Sequence, residues 1–182
     1  MTTMESTQVQ DQPMLTSQPV SLWRVDFREL YARHLCRHSQ FGINVFHLAA
    51  LFVVWFGVYG FVYCLAQTKW APIAMAAAYL AVLVPNLPPR VILATAAFLG
   101  LFVLSVLYIP VLPVWLCWVY LVMIPVAYKI QSWSHAWFHI EHDMTEFNKK
   151  YTKGCVRFFV LLFYEVPTLL NYLAFDHARW TA

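Results

Sequence analysis

The chain of 182 residues is 61% hydrophobic and 12% charged, with a mean hydropathy of +0.58 and a formal net charge of +3. Soluble domains are about half apolar and about a quarter charged, so this composition excludes an ordinary soluble protein and indicates a membrane protein. The lysines and arginines lie beside apolar segments, which is typical of membrane topology signals and argues against a nucleic-acid partner. Any chemistry must therefore be built from the membrane domain itself.

The N-terminal segment differs in character from the rest of the chain. Residues 1–22 are rich in Gln, Ser, Thr and Met and lack the basic start and apolar core of a signal peptide. We predict a disordered tail over residues 1–22 and a single transmembrane helical domain over residues 23–182. The four cysteines are widely spaced and form no C-x-x-C pair, so we expect reduced thiols.

Long runs without charge predict the membrane-spanning helices, because a helix needs about 20 apolar residues to cross a bilayer. Residues 38–68, 70–89 and 91–128 contain no Asp, Glu, Lys or Arg. The third run is long enough for two helices, and Pro110 and Pro113 predict a turn near its middle because proline lacks a backbone donor. A further apolar segment, interrupted by one carboxylate, lies near the C-terminus. The predicted spans are 44–66, 70–86, 91–109, 112–128 and 158–175.

The basic residues predict the orientation of these spans. With five crossings, ten of the twelve lysines and arginines lie on the N-terminal side, and Lys69 and Arg179 lie opposite. Basic residues favour the cytoplasmic side, so we predict a cytoplasmic N-terminus, in the inner membrane of a bacterium or the endoplasmic reticulum of a eukaryote. Because four spans separate residue 38 from residue 131, histidines near both positions are expected on the same cytoplasmic face.

The segment "QSWSHAWFHIEHDMTEF", residues 131–147, holds three of the seven histidines. At about 100° per residue, His135, His139 and His142 fall on one helical face, with Gln131 one turn earlier. Aromatic and aliphatic residues repeat on the opposite side. We therefore predict an all-α integral membrane bundle of about five transmembrane helices, with an amphipathic, histidine-bearing helix at its cytosolic face.

A second histidine cluster precedes the first span. His34 and His38 share a helical face, but His47 falls about half a turn away from His38 on one continuous helix. A common site therefore requires a break in the helix, for which Gly42 is the candidate. His177 follows the last span and is expected at the opposite side, outside the site.

Histidines that meet at one membrane face predict a metal site, because imidazole is a common ligand of zinc, copper and iron. Surroundings rich in imidazole and without thiolates favour iron, and after it zinc or copper, over soft-metal or iron–sulfur sites. The alternative interpretation is an interfacial belt of histidines without a metal. Glu165 lies within an apolar segment, where a carboxylate is costly, and is a ligand, a partner that orients a histidine, or the neutral acid of a packed helix. Lys149 and Lys150 either contact anionic head groups or hold the carboxylate of an acyl substrate.

Two stretches carry a resemblance to a known family. "YARHLCRHSQFGINVFHLAALF" contains Tyr31, His38, Asn44 and His47, and "QSWSHAWFH" contains Gln131 and His135. In this arrangement the chain resembles the family of small membrane proteins typified by the yeast 2-hydroxy fatty acid dioxygenase. It departs from the family pattern at Ser134, where glycine is usual, and at His139, where glutamate is usual.

The resemblance implies an iron(II)-dependent oxygenase that uses dioxygen to shorten 2-hydroxy fatty acids by one carbon. It supports His38, His47 and His135 as ligands, whereas His139 and His142 rest on the helical-face pattern alone. The predicted metal ligands are His34, His38, His47, His135, His139 and His142. The predicted catalytic residues are His38, His135 and Glu165, and the predicted substrate-binding residues are Asn44, Gln131, Lys149 and Lys150.

Two other classes of function remain open at this point. A di-iron membrane hydroxylase or desaturase also uses histidines at cytosolic helix ends, although this chain has no His-His pair. A non-enzymatic membrane scaffold or a bis-histidine haem protein is the other alternative. The expected partners are the bilayer, a lipid or fatty-acyl substrate and a second copy of the chain in a homo-oligomer.

Overall fold

The computed structural model of the protein describes residues 21–108, 112–138 and 155–180, with residues 155–157 described by their backbone only. Within these ranges the regular structure is helical, as predicted. The helices are α1 (Phe27–Arg37), α2 (Phe41–Ala66), α3 (Trp70–Leu83), α4 (Pro89–Tyr108), α5 (Cys117–Trp137) and α6 (Cys155–Phe175). Short 3-10 turns cover Val114–Leu116 and His177–Arg179.

Four helical stretches are long and apolar enough to cross a membrane. They are Phe41–Ala66, Pro89–Tyr108, Val114–Trp137 and Phe158–Phe175, with hydropathies of 2.1, 2.4, 1.5 and 1.6. Their outer faces expose large apolar side chains, for example Leu93 at 71% and Val122 at 58%. Such surfaces are stable against lipid and not against water, so the protein is an integral membrane protein.

The predicted span 70–86 forms a shorter helix than expected. α3 ends at Leu83 after 14 residues, and turns follow up to Asn86. Pro85 accounts for this end, because proline lacks the backbone N–H that the next helical hydrogen bond needs. At about 1.5 Å per residue, α3 falls short of the roughly 30 Å hydrocarbon core.

α2 and α5 pack antiparallel along their length. His47 lies against Ser134 at one end of the pair, which we call the histidine end, and Cys64 lies against Leu112 at the other. Between them, a Cβ atom on Gly57 would come within 2.8 Å of the Tyr120 carbonyl oxygen. The two backbones can approach this closely because the position is glycine, as is common between membrane helices.

The helical structure is interrupted between α1 and α2, from His38 to Gln40. His38 there adopts the non-helical dihedrals φ −136° and ψ 49°. The predicted site of the break, Gly42, lies instead inside the first turn of α2. A Cβ atom there would come within 2.7 Å of the Phe138 ring. The break is thus as predicted in kind but lies earlier in the chain, and Gly42 permits close packing against the end of α5.

The C-terminal residues return to the histidine end of the bundle. Tyr31 Oη donates a 2.6 Å hydrogen bond to Asp176 Oδ2, and Tyr172 Oη donates one of 2.6 Å to the Ser39 carbonyl. The centroid of the Trp180 ring lies 4.4 Å from that of the Phe41 ring, with the two planes tilted by 46°. The expected position of His177 and Arg179 at the opposite end is therefore wrong, because these contacts hold the segment beside α1 and the start of α2.

Candidate metal centre

Three histidines from three different elements meet at the histidine end. His38 caps α1, His47 lies in the second turn of α2, and His135 lies in the last turn of α5. Their ring centroids are 4.5 to 5.0 Å apart, and one nitrogen of each lies within 4.8 Å of the others. Residues 97 positions apart in sequence are thus brought together as a group that could hold a metal ion.

His38 is the member of the group most in need of a ligand. Its side chain is 6% exposed, and neither ring nitrogen has a hydrogen-bond partner among the residues that the structure describes. A buried polar atom without a partner is unfavourable, and a metal ion would satisfy one of these nitrogens. Burial, followed by the nearby His34, His47 and His135, lowers the pKa of His38 far below its usual value. Its imidazole is therefore neutral, which is the form that binds metals.

A hydrogen-bond network fixes the ring of His47. Ser134 Oγ donates to the Gln131 carbonyl at 2.7 Å, so it accepts from His47 Nε2–H at 2.9 Å. The Gln131 side-chain amide donates to His47 Nδ1 at 3.1 Å and also to Glu165 Oε1. Glu165 Oε1 itself lies 3.7 Å from His47 Nδ1. Both ring nitrogens of His47 are thus paired. A metal would bind Nδ1 in place of the Gln131 amide, while Ser134 at Nε2–H would hold the ring in one tautomer and orientation.

His34 and Asn44 contact His38 by ring stacking and by hydrogen bonding, respectively. The His34 ring stacks 4.5 Å from that of His38, and His34 Nε2–H donates to Asn44 Oδ1 at 2.8 Å. The Asn44 amide nitrogen donates to the carbonyls of His38 and Gln40, at 2.7 and 2.8 Å. Burial lowers the pKa of His34 to about 3, so this imidazole is neutral as well. Asn44 therefore stabilises the break between α1 and α2, and its buried amide does not line the cavity described below.

The predicted histidine helix is in part the end of α5. α5 continues without interruption from the predicted end of the span at residue 128 to Trp137, so Gln131 and His135 lie on the membrane helix itself. Four further predicted residues, His139, His142, Lys149 and Lys150, lie outside the described residues.

A cavity of about 590 Å³ opens beside the histidines. This volume is typical of sites for a single small-molecule ligand. Its polar lining includes His38, His47, His135, Gln131 and Glu165. Apolar side chains of α2, α5 and α6 form the remaining wall, among them Val54, Ile124, Phe158, Leu161 and Leu162. The site thus joins a polar end with three imidazoles to an apolar chamber inside the bundle.

Sequence reasoning missed three residues of this site. Arg33 and Arg37 line the cavity, although they were interpreted only as topology signals. The spacing of four residues that links His34 and His38 also links these arginines, and this was the available signal. Ser134, noted only as a departure from a family pattern, is the partner of His47 Nε2.

No protein-family model, curated protein or solved structure matches this chain. The resemblance described above therefore rests on the quoted residues alone. Fold and site together define an integral membrane helical protein with a three-histidine group that could hold a metal ion.

Proposed function

We propose that the protein is a membrane-embedded, iron-dependent oxygenase that acts on a fatty acid, of the 2-hydroxy fatty acid α-oxidation type. The observation that carries this proposal is the group of His38, His47 and His135 at the polar end of a cavity with apolar walls. An acyl chain fits the apolar chamber, and the histidines are ligands for the metal. The resemblance stated from the sequence points to the same chemistry.

The donor set favours iron among the metals that imidazole binds. The three histidines are accompanied by one carboxylate, Glu165, and no thiolate lines the cavity among the described residues. Histidine and carboxylate donors suit non-haem iron(II), whereas thiolates favour zinc or iron–sulfur sites. When bound, the iron would supply the activation of dioxygen at an open coordination position.

The residues around the metal would have separate roles in this proposal. His38, His47 and His135 hold the metal. Ser134 keeps His47 in one orientation through Nε2–H, and the metal would take the place of the Gln131 amide at His47 Nδ1. Glu165 is 25% exposed and lines the cavity, so in this proposal it takes up the proton of a substrate hydroxyl group. His139 and His142 remain proposed further ligands, and Lys149 and Lys150 remain proposed head-group contacts.

The proposed topology follows from which helices end at the histidine end of the bundle. α5 ends at the histidine end, and so do α6 and the C-terminal turn. We infer an even number of crossings. α2, α4 and α5 cross as helices, and α3 crosses together with the turns up to Asn86, which bonds Val25 just before α1. α6 is long enough to cross, but in this proposal it packs into the histidine end in place of the predicted fifth crossing. Among the described residues, Arg179 then joins Arg90 and the arginines of α1 at that end, and Lys69 lies opposite. This basic asymmetry supports our proposal that the histidine end is cytoplasmic.

The alternative functions fit the site less well. A haem between two histidines keeps their rings on opposite faces of the macrocycle, whereas ring centroids 4.5 to 5.0 Å apart leave no space for one. A di-iron enzyme needs more ligands than the three histidines grouped among the described residues. The ratio of iron to protein separates one metal from two.

The first test measures bound metal. Protein purified in detergent is reconstituted with iron(II) without oxygen, and metals are counted by mass spectrometry. We expect about one iron per chain. Single His38→Ala, His47→Ala and His135→Ala variants should lose it. His177→Ala is the matched control, because His177 lies at the same end, exposed and outside the group. A folded protein that binds no metal would overturn the proposal.

A second test measures the reaction. Iron-loaded protein is given 2-hydroxy fatty acids, and oxygen uptake and chain-shortened product are recorded. Oxygen uptake that depends on the 2-hydroxy group supports the α-oxidation reaction. Metal binding without any oxidation of fatty acids would retain the site and reject this substrate class.

A further inference from the structure

We propose that Arg33 and Arg37 form a carboxylate-binding subsite, so that the ligand of the cavity is a single acyl chain held by its anionic head group beside the histidines. The inference deepens the proposed function by naming how its substrate is held. The binding itself requires neither metal nor turnover, so it can be tested separately from the proposed function.

The two arginines lie on the wall that also carries histidines. α1 presents Arg33, His34, Arg37 and His38 to the same cavity. Residues four apart on a helix are neighbours on one face, so the two guanidinium groups follow each other along the wall. Planar guanidinium groups bind carboxylates through two parallel hydrogen bonds.

Arg37 has binding capacity that the described residues do not use. Its Nε atom is buried and has no hydrogen-bond partner within the described ranges. Glu165 is the one carboxylate among the described cavity residues, and its oxygen accepts from Gln131. A buried guanidinium nitrogen without a partner is costly, and a ligand carboxylate would satisfy it.

The rest of the cavity indicates what the carboxylate is attached to. The wall away from α1 contains Val54, Ile124, Leu161 and Leu162, which suit a hydrocarbon chain. A volume of about 590 Å³ is within the range for one compact ligand and favours a single chain over a two-chain phospholipid. A head group held on α1 places the carboxyl end of that chain, and not its methyl end, beside His38.

The test measures binding to metal-free protein in a neutral detergent. A fluorescent conjugated fatty acid is the probe, and palmitate or hexadecanol of the same chain length displaces it. We expect Arg37→Gln to weaken palmitate binding by about tenfold, and the Arg33→Gln/Arg37→Gln double variant to weaken it further, because each removes a charge-assisted hydrogen bond. Hexadecanol binding should not change.

Two controls make the result specific. Arg28→Gln changes an exposed arginine in the first turn of the same helix and should leave palmitate binding unchanged. Arg37→Lys keeps the charge and should bind palmitate more tightly than Arg37→Gln, which also excludes a folding defect caused by loss of charge. Lysophosphatidic acid tests a phosphate in place of the carboxylate.

Three results would overturn the inference. They are equal losses for palmitate and hexadecanol, unchanged palmitate binding in the double variant, and tighter binding of lysophosphatidic acid than of palmitate. Palmitate binding that depends on the arginines in a protein that never binds iron would retain the subsite and reject the oxygenase. Iron binding by a protein in which the arginines make no contribution to palmitate binding would retain the metal site and reject the subsite.

Discussion

At the scale of single residues, the site depends on how each imidazole is held. His38 is buried with neither ring nitrogen paired to a described residue, whereas His47 has partners at both nitrogens. His38 therefore has a ring nitrogen available for a metal. The hydrogen bond from His47 Nε2–H to Ser134 sets the tautomer of His47, so that a metal would bind its Nδ1. Ser134 is central to the second, because its hydroxyl accepts from His47 Nε2–H and donates to the backbone of Gln131.

Replacement of Ser134 by alanine should therefore weaken metal binding without removing a ligand. We expect the metal dissociation constant to rise about 10- to 100-fold, as when other orienting partners of ligand histidines are lost. The loss of a buried acceptor should also lower the free energy of unfolding by about 1–3 kcal/mol. Isothermal titration with iron(II) or zinc checks the first value. Ser105→Ala, which removes a hydroxyl bonded to its own helix in α4, is the control, and equal affinity in both variants would contradict the role of Ser134.

At the scale of helices, the site depends on the contact between α2 and α5. His47 belongs to one helix and His135 to the other, and the glycine at position 57 brings the two backbones together. A displacement of either helix would separate the ligands. The packing of this pair and the geometry of the metal site are thus coupled.

A Gly57→Ala substitution should consequently lower the free energy of unfolding and weaken metal binding. The new Cβ atom would lie 2.8 Å from the Tyr120 carbonyl oxygen and 3.2 Å from Ile124 Cγ1, so the helices must move apart. We expect a loss of about 1–3 kcal/mol in unfolding free energy, as for other overpacked positions. Gly100→Ala is the matched control, because nothing lies within 4 Å of its Cβ position, and it should be neutral or stabilising by about 0.5–1 kcal/mol. Thermal unfolding in detergent compares the two, and equal midpoints would contradict the packing role.

At the scale of the whole molecule, the contacts of the C-terminal residues with the histidine end support the proposed topology. The hydrogen bonds from Tyr31 to Asp176 and from Tyr172 to Ser39 tie the end of the chain to the histidine end. The same contacts place α6 against the cavity, to which it contributes Glu165 and the apolar wall. α6 therefore forms one wall of the cavity.

Reporter fusions test this topology in cells. A fluorescent protein that folds only in the cytoplasm, fused after Ala182, should be bright, and alkaline phosphatase at the same position should be inactive. The same reporters inserted after Thr68, in the turn between α2 and α3, should give the reverse result. Active phosphatase at the C-terminus would show an odd number of crossings and would contradict the even number proposed here.

Much of the fold and part of the site could be predicted from the sequence. Four of the five predicted spans correspond to helices long and apolar enough to cross a membrane, because the cost of charge in lipid acts on composition directly, whereas the span 70–86 forms a shorter helix. The predicted topology brought the two histidine clusters to one face, and the resemblance singled out His38, His47 and His135. The structure brings these three together as a group that could hold a metal. The break between α1 and α2 was predicted in kind, and its position was missed by a few residues because the hydrogen bonds of Asn44, and not a glycine, determine it.

The sequence by itself thus determined the membrane character, the helices and the residue types of the site, since hydrophobicity and periodicity are local properties of the chain. Only the tertiary structure decided that Ser134 orients His47, that Arg33 and Arg37 line the cavity, and that α6 ends beside α1. The physical reason is that these features depend on contacts between residues far apart in the chain. Hydrogen bonds and close packing between helices select such contacts, and no repeat or composition along the sequence encodes them.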